Sequence, residues 1–124
     1  MKRSLALLVC ILLMITLCGC ANINDMKKNL EKAGYEITEM SESKIASLNS
    51  DMVYTYNGKG TIISGCYGTD KNGNNVFMVE LTDRDDVTIL YRELKSQLDN
   101  GQIIDIKGKV IVYGYADGVK QAIK

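Results

Sequence analysis

The chain has 124 residues, in which 15 basic residues balance 15 acidic residues and histidine is absent. This length suits one domain with one core. The lack of a basic patch argues against a nucleic-acid partner. The lack of histidine removes the commonest metal ligand and the commonest general base.

The first twenty residues have the layout of a secretory signal. Lys2 and Arg3 give a positive start, and residues 5–17 form an uncharged run of thirteen residues. A basic start, an apolar run of this length and a small residue before the cut are typical of a cleaved signal peptide. The alternative is a membrane-spanning helix, which needs about 20 apolar residues, whereas the stretch from Leu5 to Ala21 has seventeen.

Residues 17–20 read LCGC, an aliphatic residue followed by two small residues and a cysteine. This pattern resembles the lipobox of bacterial lipoproteins, although Cys18 stands where that family usually has alanine, serine or threonine. The resemblance implies that a peptidase cuts between Gly19 and Cys20 and that Cys20 carries the lipid. It therefore implies a partner, the membrane, and a location: lipid-anchored at the cell membrane or envelope, facing outside the cytoplasm. The alternative is an ordinary secretory signal that is cut nearby.

These interpretations divide the chain into a signal peptide over 1–19, a lipidated tether over 20–24 and one domain over 25–124. Without the signal, thirteen basic and fifteen acidic residues remain, and Cys66 is the one thiol that carries no lipid. No internal disulfide can then form, even in an oxidising compartment. Cys66 lies in an apolar run with no histidine to activate it, so we interpret it as a small buried hydrophobe rather than a reactive thiol.

The first part of the domain predicts alternating helix and strand. A helix is expected from Asn24, as N-cap, to Gly34, where a left-handed residue ends it. The stretch YEITEM then alternates as a strand, and SESKIASLN predicts a short second helix capped by Ser41 or Ser43. The stretch MVYTY that follows is predicted as a strand, ending at the turn signal NGKG.

The middle of the domain predicts a β-hairpin, in which TIISGCYG and VFMVELT flank the turn TDKNGNN. In the second of these strands, Phe77, Val79 and Leu81 fall on one face and Val76, Met78 and Glu80 on the other. This alternation predicts one buried face and one that is only partly covered.

The last part predicts a long helix, a second hairpin and a short terminal helix. An apolar stripe that includes Leu90 and Leu94 predicts the long helix, which is expected to end at Gly101. The hairpin QIIDIKGKVIVYGY is expected to turn at Lys107-Gly108, and Val119 and Ile123 are expected to pack inward from the terminal helix. The order of elements predicts an α+β fold: a two-layer sandwich of a mainly antiparallel sheet with helices packed on one face.

Two acidic stretches are candidates for metal sites. Asp70, Asn72 and Asn74 stand at positions one, three and five of a calcium loop, but position twelve is Leu81 rather than glutamate. The composition equally suits a hairpin turn, which is the interpretation adopted. The DRDD stretch at 83–86 begins the long helix, where carboxylates are favoured by the helix dipole. No cofactor or metal is therefore expected, and no catalytic motif marks the chain as an enzyme.

Two tyrosine pairs are candidates for a partner surface. Tyr54 and Tyr56 are predicted on one face of a strand, and Tyr113 and Tyr115 repeat this spacing near the end of the chain. Tyrosine is favoured at binding surfaces, although it also simply packs well in sheets. The expected function is a membrane-anchored, non-enzymatic module that binds protein or peptide. A small-molecule or ion-binding lipoprotein is the second hypothesis, and an enzyme the third.

Overall fold

The computed structural model describes residues 23–124, in which five antiparallel strands form one sheet in the order β1-β2-β3-β5-β4. The predictions for Gly19, Cys20 and the signal peptide lie outside the described residues. The strands and helices, in chain order, are α1 Ile23–Lys32, β1 Glu36–Glu39, α2 Glu42–Tyr54, β2 Ile62–Thr69, β3 Asn75–Leu81, α3 Arg84–Ser96, β4 Gln102–Lys107, β5 Val110–Tyr115 and α4 Ala116–Ala122.

The predicted α+β class with an antiparallel sheet is confirmed, but the helices pack on both faces of the sheet. Val76 and Met78 of β3 share a buried cluster with α1 and α4, on what we term the first face. Val79 and Leu81 share the other cluster with α2 and α3, on the second face. The prediction that helices pack on one face was wrong. It took Glu80 as a sign that the face shared by Val76, Met78 and Glu80 is only partly covered. That carboxylate accepts a hydrogen bond from the Ser64 hydroxyl at 3.2 Å and does not mark a solvent-facing side.

Helix α1 begins earlier than predicted and ends as predicted. Its first residue, Ile23, is buried in the first-face cluster, so residues 23 and 24, which were assigned to the tether, belong to the helix. Asn24 therefore lies in the first turn rather than at the N-cap. Gly34 has φ +92°. The N–H of Gly34 donates to Glu31 O at 3.1 Å and the N–H of Tyr35 donates to Leu30 O at 2.9 Å, which together form a Schellman cap.

Helix α2 extends through MVY, so the predicted strand MVYTY is wrong. Ser41 caps the helix, as one of the two predicted alternatives, and accepts from the Lys44 N–H at 3.2 Å. Ile45, Leu48 and Met52 continue one helical stripe, and Met52 is buried against the second face. Burying a side chain of this size contributes about 1.5–3 kcal/mol, which outweighs the strand preference of the valine and tyrosine beside it.

The two hairpins follow their turn residues closely. Asp70 Oδ1 accepts from the Asn72 and Asn74 N–H groups, each at 2.9 Å, and Gly73 has φ +82°. The predicted turn is thus confirmed. The loop between β4 and β5 is Gly108-Lys109, one residue later than predicted, with Gly108 at φ +61°.

The chain end and the start of α3 also match the sequence analysis. Asp83 is the N-cap of α3 and accepts from the N–H groups of Asp85 at 2.9 Å and Asp86 at 3.1 Å. In α4, Val119 is fully buried in the first-face cluster and Ile123 packs against it. The predicted capping role is thus confirmed for Asp83, and the predicted packing of α4 is confirmed.

Candidate protein-binding surface

The first predicted tyrosine pair does not form a surface on one strand. Tyr54 is the last residue of α2 and is 84% exposed. Tyr56 follows the helix, is half-buried and packs against the second-face cluster. These residues differ in environment because the segment is helical, so their spacing of two does not place them on one side.

The second predicted pair does share a face. Tyr113 and Tyr115 alternate along β5, which places both on the second face. Tyr113 is half-buried and Tyr115 is 41% exposed. Burial raises the pKa of the Tyr113 phenol above its ordinary value, so this hydroxyl stays protonated and able to donate a hydrogen bond.

Two further rings join Tyr113 in a row across the sheet. The strand register places Tyr67 of β2 opposite Phe77 of β3, and Phe77 opposite Tyr113. The ring centroids are 5.7 Å apart for Tyr67 and Phe77 and 5.1 Å apart for Phe77 and Tyr113. We call these three residues the aromatic row. Tilted and stacked ring contacts at these distances stabilise the arrangement.

The aromatic row lies where neither helix of the second face covers the sheet fully. Helix α2 packs over the opposite half of β2, where Met40 and Ile45 lie directly above Gly65 and Asn49 bonds to Ile62. Helix α3 packs mainly over β4 and β5. All three rings are therefore only half-buried, although β2, β3 and β5 are the inner strands.

Polar groups border the aromatic row on the side of the β2–β3 turn. Thr69 and Asn75 occupy the next cross-strand position on the same face, and the Thr69 hydroxyl donates to Asn75 Oδ1 at 2.8 Å. Thr38 of β1, opposite Tyr67, is exposed. Apolar rings with a polar margin have the composition of a protein-binding surface.

Sequence reasoning missed Tyr67 and Phe77, although a signal for them was present. The turn at residues 70–74 makes Thr69 and Asn75 the first pair of residues of the hairpin. The pair two residues further from the turn on each strand is Tyr67 and Phe77. The link to Tyr113 needed the pairing of β3 with β5, which is not local in sequence.

A separate cleft of about 540 Å³ lies at the end of the first face. Its charged lining comprises two carboxylates and two ammonium groups, from Asp70, Asp117, Lys71 and Lys120. Partial burial, together with the charges of Asp70 and Asp117, raises the pKa of the Tyr35 phenol. Tyr35 supplies the one large ring of this cleft, whereas small-molecule sites are lined predominantly by apolar side chains.

Burial determines the state of the Cys66 thiol and outweighs the charge of Lys27, which acts to lower the thiol pKa. Cys66 is fully buried in the first-face cluster, and burial raises the pKa of its thiol to about 11. The thiol is protonated at neutral pH and shielded from reagents, so the predicted structural role is confirmed. Within residues 23–124, no three cysteine or carboxylate side chains come close enough to share a metal ion.

Among residues 23–124, no helix is both long and apolar enough to cross a membrane. Comparisons with protein-family models, curated proteins and solved structures each find no match to this chain.

Proposed function

We propose that this chain is a lipid-anchored envelope protein that binds a protein or peptide through the aromatic row, without catalysing a reaction. The observation that carries the proposal is that Tyr67, Phe77 and Tyr113 are only partly buried, although they stand on inner strands of the sheet. Inner strands that have helices on both faces are ordinarily covered. The part of these rings that stays uncovered supplies apolar area for a partner to bury.

The chemistry of the row favours a macromolecular partner. Tyrosine and phenylalanine supply large contact area at a small cost in side-chain entropy, and each tyrosine adds a hydroxyl for hydrogen bonding. The row lies across three neighbouring strands and is held by ring contacts, so little ordering is needed on binding. Aromatic residues near the centre of an interface typically dominate its binding energy.

The position of the row suits an anchor that precedes α1. Asp25 and Met26, near the start of α1, lie beside Lys107 at one end of the sheet. Leu30 lies over Gly68 in the other half, which is the half that holds the row. A lipid on Cys20, three residues before Ile23, would hold the chain by the Lys107 end and leave the row directed away from the membrane. A diacylglyceryl group supplies the two acyl chains that stable anchoring requires.

Binding through the row is tested by Tyr67→Ala, with Tyr54→Ala as the matched control. We expect the natural chain and Tyr54→Ala to recover the same partner from crosslinked envelopes. Because central aromatic residues contribute about 2 kcal/mol or more, Tyr67→Ala should reduce this recovery by about thirtyfold. Quantitative mass spectrometry of the captured proteins measures the ratio, and thermal unfolding checks that both variants fold.

Two outcomes count against the proposed surface. One is that a folded Tyr67→Ala chain retains the partner as well as the natural chain does. The other is that the natural chain captures no protein reproducibly above the background of untagged cells.

The anchor is tested by metabolic labelling with an alkyne fatty acid. We expect the natural chain to be labelled and Cys20→Ala to lose the label and accumulate as the uncut precursor. Cys18→Ala should keep the label, since alanine is usual at that position of the lipobox. Equal labelling of the Cys20→Ala chain would show that the lipid is attached elsewhere.

A further inference from the structure

The outer edge of β4 is open to a second strand. β4 is the last strand of the sheet and pairs only with β5, and no element of residues 23–124 pairs with its other side. The six β4–β5 residue pairs run without a register shift, so no bulge turns the edge away. Natural proteins usually protect such an edge by a bulge, a proline, inward charges or a cover.

The hairpin geometry identifies the backbone groups on this edge. A two-residue loop makes Lys107 and Val110 a hydrogen-bonded pair, so alternate residues of β4 direct their N–H and C=O groups outward. The outward residues are Gln102, Ile104 and Ile106.

The neighbouring hydrogen bonds support this assignment. Ile106 N–H donates to Asp105 Oδ1 at 2.7 Å, and Gln102 N–H donates to Asp99 O at 3.1 Å, so both donors face away from β5. Between them, Ile104 directs both its donor and its acceptor to the open side.

The side chains along this edge are apolar and half-exposed. Ile103, Ile104 and Ile106 are all half-buried, on alternating faces of the strand. An edge strand with three isoleucines, and with the N–H and C=O groups of Ile104 directed away from β5, favours pairing with another strand.

The charges at the two ends of β4 indicate which strand would fit. Asp99 precedes the strand, and Lys107 ends it. In an antiparallel pair of two β4 strands, the end of one strand lies beside the start of the other, which brings Lys107 near Asp99 of the second copy.

The register of this pair follows from Asp105. Centring the pair on Asp105 would place two carboxylates opposite each other, which is destabilising. Centring it on Ile104 places isoleucine opposite isoleucine and Asp105 opposite Ile103.

We propose that β4 pairs antiparallel with β4 of a second copy around Ile104, which joins two sheets into one of ten strands. The two Ile104 residues exchange N–H···O=C bonds. Asp105 then releases the Ile106 N–H, which donates to the Gln102 carbonyl of the second copy. This pairing uses the sheet edge and leaves the aromatic row free. Dimerisation and partner binding can therefore be tested separately.

Disulfide trapping in the full chain, extracted in detergent, tests the pairing. Residues opposite each other in a hydrogen-bonded pair have Cα atoms about 5.5 Å apart, which is within disulfide range. We expect mild oxidation to convert Ile104→Cys to a dimer of twice the mass, whereas Ser50→Cys, on the exposed side of α2, should remain single. Equal trapping at both positions, or no trapping in a folded Ile104→Cys chain, would overturn the proposal.

A charge exchange provides the second test. Lys107→Glu places two like charges at each end of the paired strands, so we expect dimerisation of the Ile104→Cys chain to weaken about fivefold. Adding Asp99→Lys to Lys107→Glu should restore it, because the two charges are exchanged. If dimerisation stayed weak in the variant that carries both charge changes, this result would count against antiparallel pairing.

If Ile104→Cys does not fold, hydrogen exchange on the unaltered chain tests whether two β4 strands pair. Exchange of the Ile104 amide should slow as the protein concentration rises, together with a doubling of mass in light scattering. A single-copy mass and constant exchange across concentrations would overturn the proposal, as would protection of β4 by a different protein.

Discussion

Replacing Asp86 with alanine is expected to lower the free energy of unfolding by about 3–5 kcal/mol, because three donors lose hydrogen bonds to a buried, charged acceptor. Asp86 is 0% exposed. Its Oδ1 accepts from the Lys59 N–H at 2.8 Å, and its Oδ2 accepts from the Thr61 N–H at 2.9 Å and the Thr61 hydroxyl at 2.8 Å. Urea denaturation at neutral pH measures the loss.

Asp86 fixes the loop between α2 and β2 to the start of α3. The loop approaches so closely that a Cβ at Gly58 would lie 2.8 Å from Asp86 Oδ1. Asp85→Ala is the matched control, since its side chain is 86% exposed. The exposed change should shift stability by about 0.5 kcal/mol or less. If the two variants lost similar stability, the loop would not depend on the Asp86 carboxylate.

The effect of Asp86→Ala should also depend on pH. Burial raises the pKa of Asp86, but hydrogen bonds from Lys59 and Thr61 outweigh it and hold the pKa below its ordinary value. A carboxylate with a lowered folded-state pKa stabilises the fold above its unfolded-state pKa of about 3.9, and this contribution is lost as the pH falls through the folded-state value. The stability difference between the natural chain and the variant should therefore shrink below about pH 4.

Elements whose signals are local in sequence were predicted well. The Schellman cap at Gly34, the turn built on Asp70 and the N-cap Asp83 each depend on residues within five positions of one another. In these cases the side chain or glycine acts on its own backbone, so the sequence window contains the whole interaction. Burial of Cys66 also followed from its apolar surroundings in the sequence.

Features that depend on distant residues were not predicted. Local propensity predicts a strand at residues 52–54, but they continue helix α2, in which Met52 is buried in one cluster with Val79 and Leu81. Local propensity does not register this burial against distant residues. The DRDD stretch was predicted to cap a helix, which Asp83 does, but Asp86 bonds instead to a loop 25 to 27 residues away. The aromatic row and the open edge of β4 follow from the strand order, which the chain order alone does not determine.

Gly114→Ala is expected to destabilise the fold by about 3–5 kcal/mol, through backbone strain and a steric clash together. Gly114 has φ +141°, a conformation that residues with a side chain rarely adopt. A Cβ there would lie 2.4 Å from the Asn75 carbonyl oxygen and 3.0 Å from the Val76 Cα. Both contacts are backbone atoms of the paired strand β3, so neither can move aside without breaking the ladder between β3 and β5.

Gly73→Ala separates the two contributions. Gly73 also has positive φ, at +82°, but nothing lies within 4 Å of a Cβ built on it. This variant should cost about 1–2 kcal/mol, which is the strain of a left-handed residue alone. Urea denaturation of both variants gives the difference, which reports the clash with β3. Because Gly114 lies between Tyr113 and Tyr115, the same clash would displace Tyr113 from Phe77, and Gly114→Ala should lose partner capture along with stability. Equal costs for the two variants would show that β5 can move away from β3 without loss of stability, so the ladder between them would not fix the position of the aromatic row.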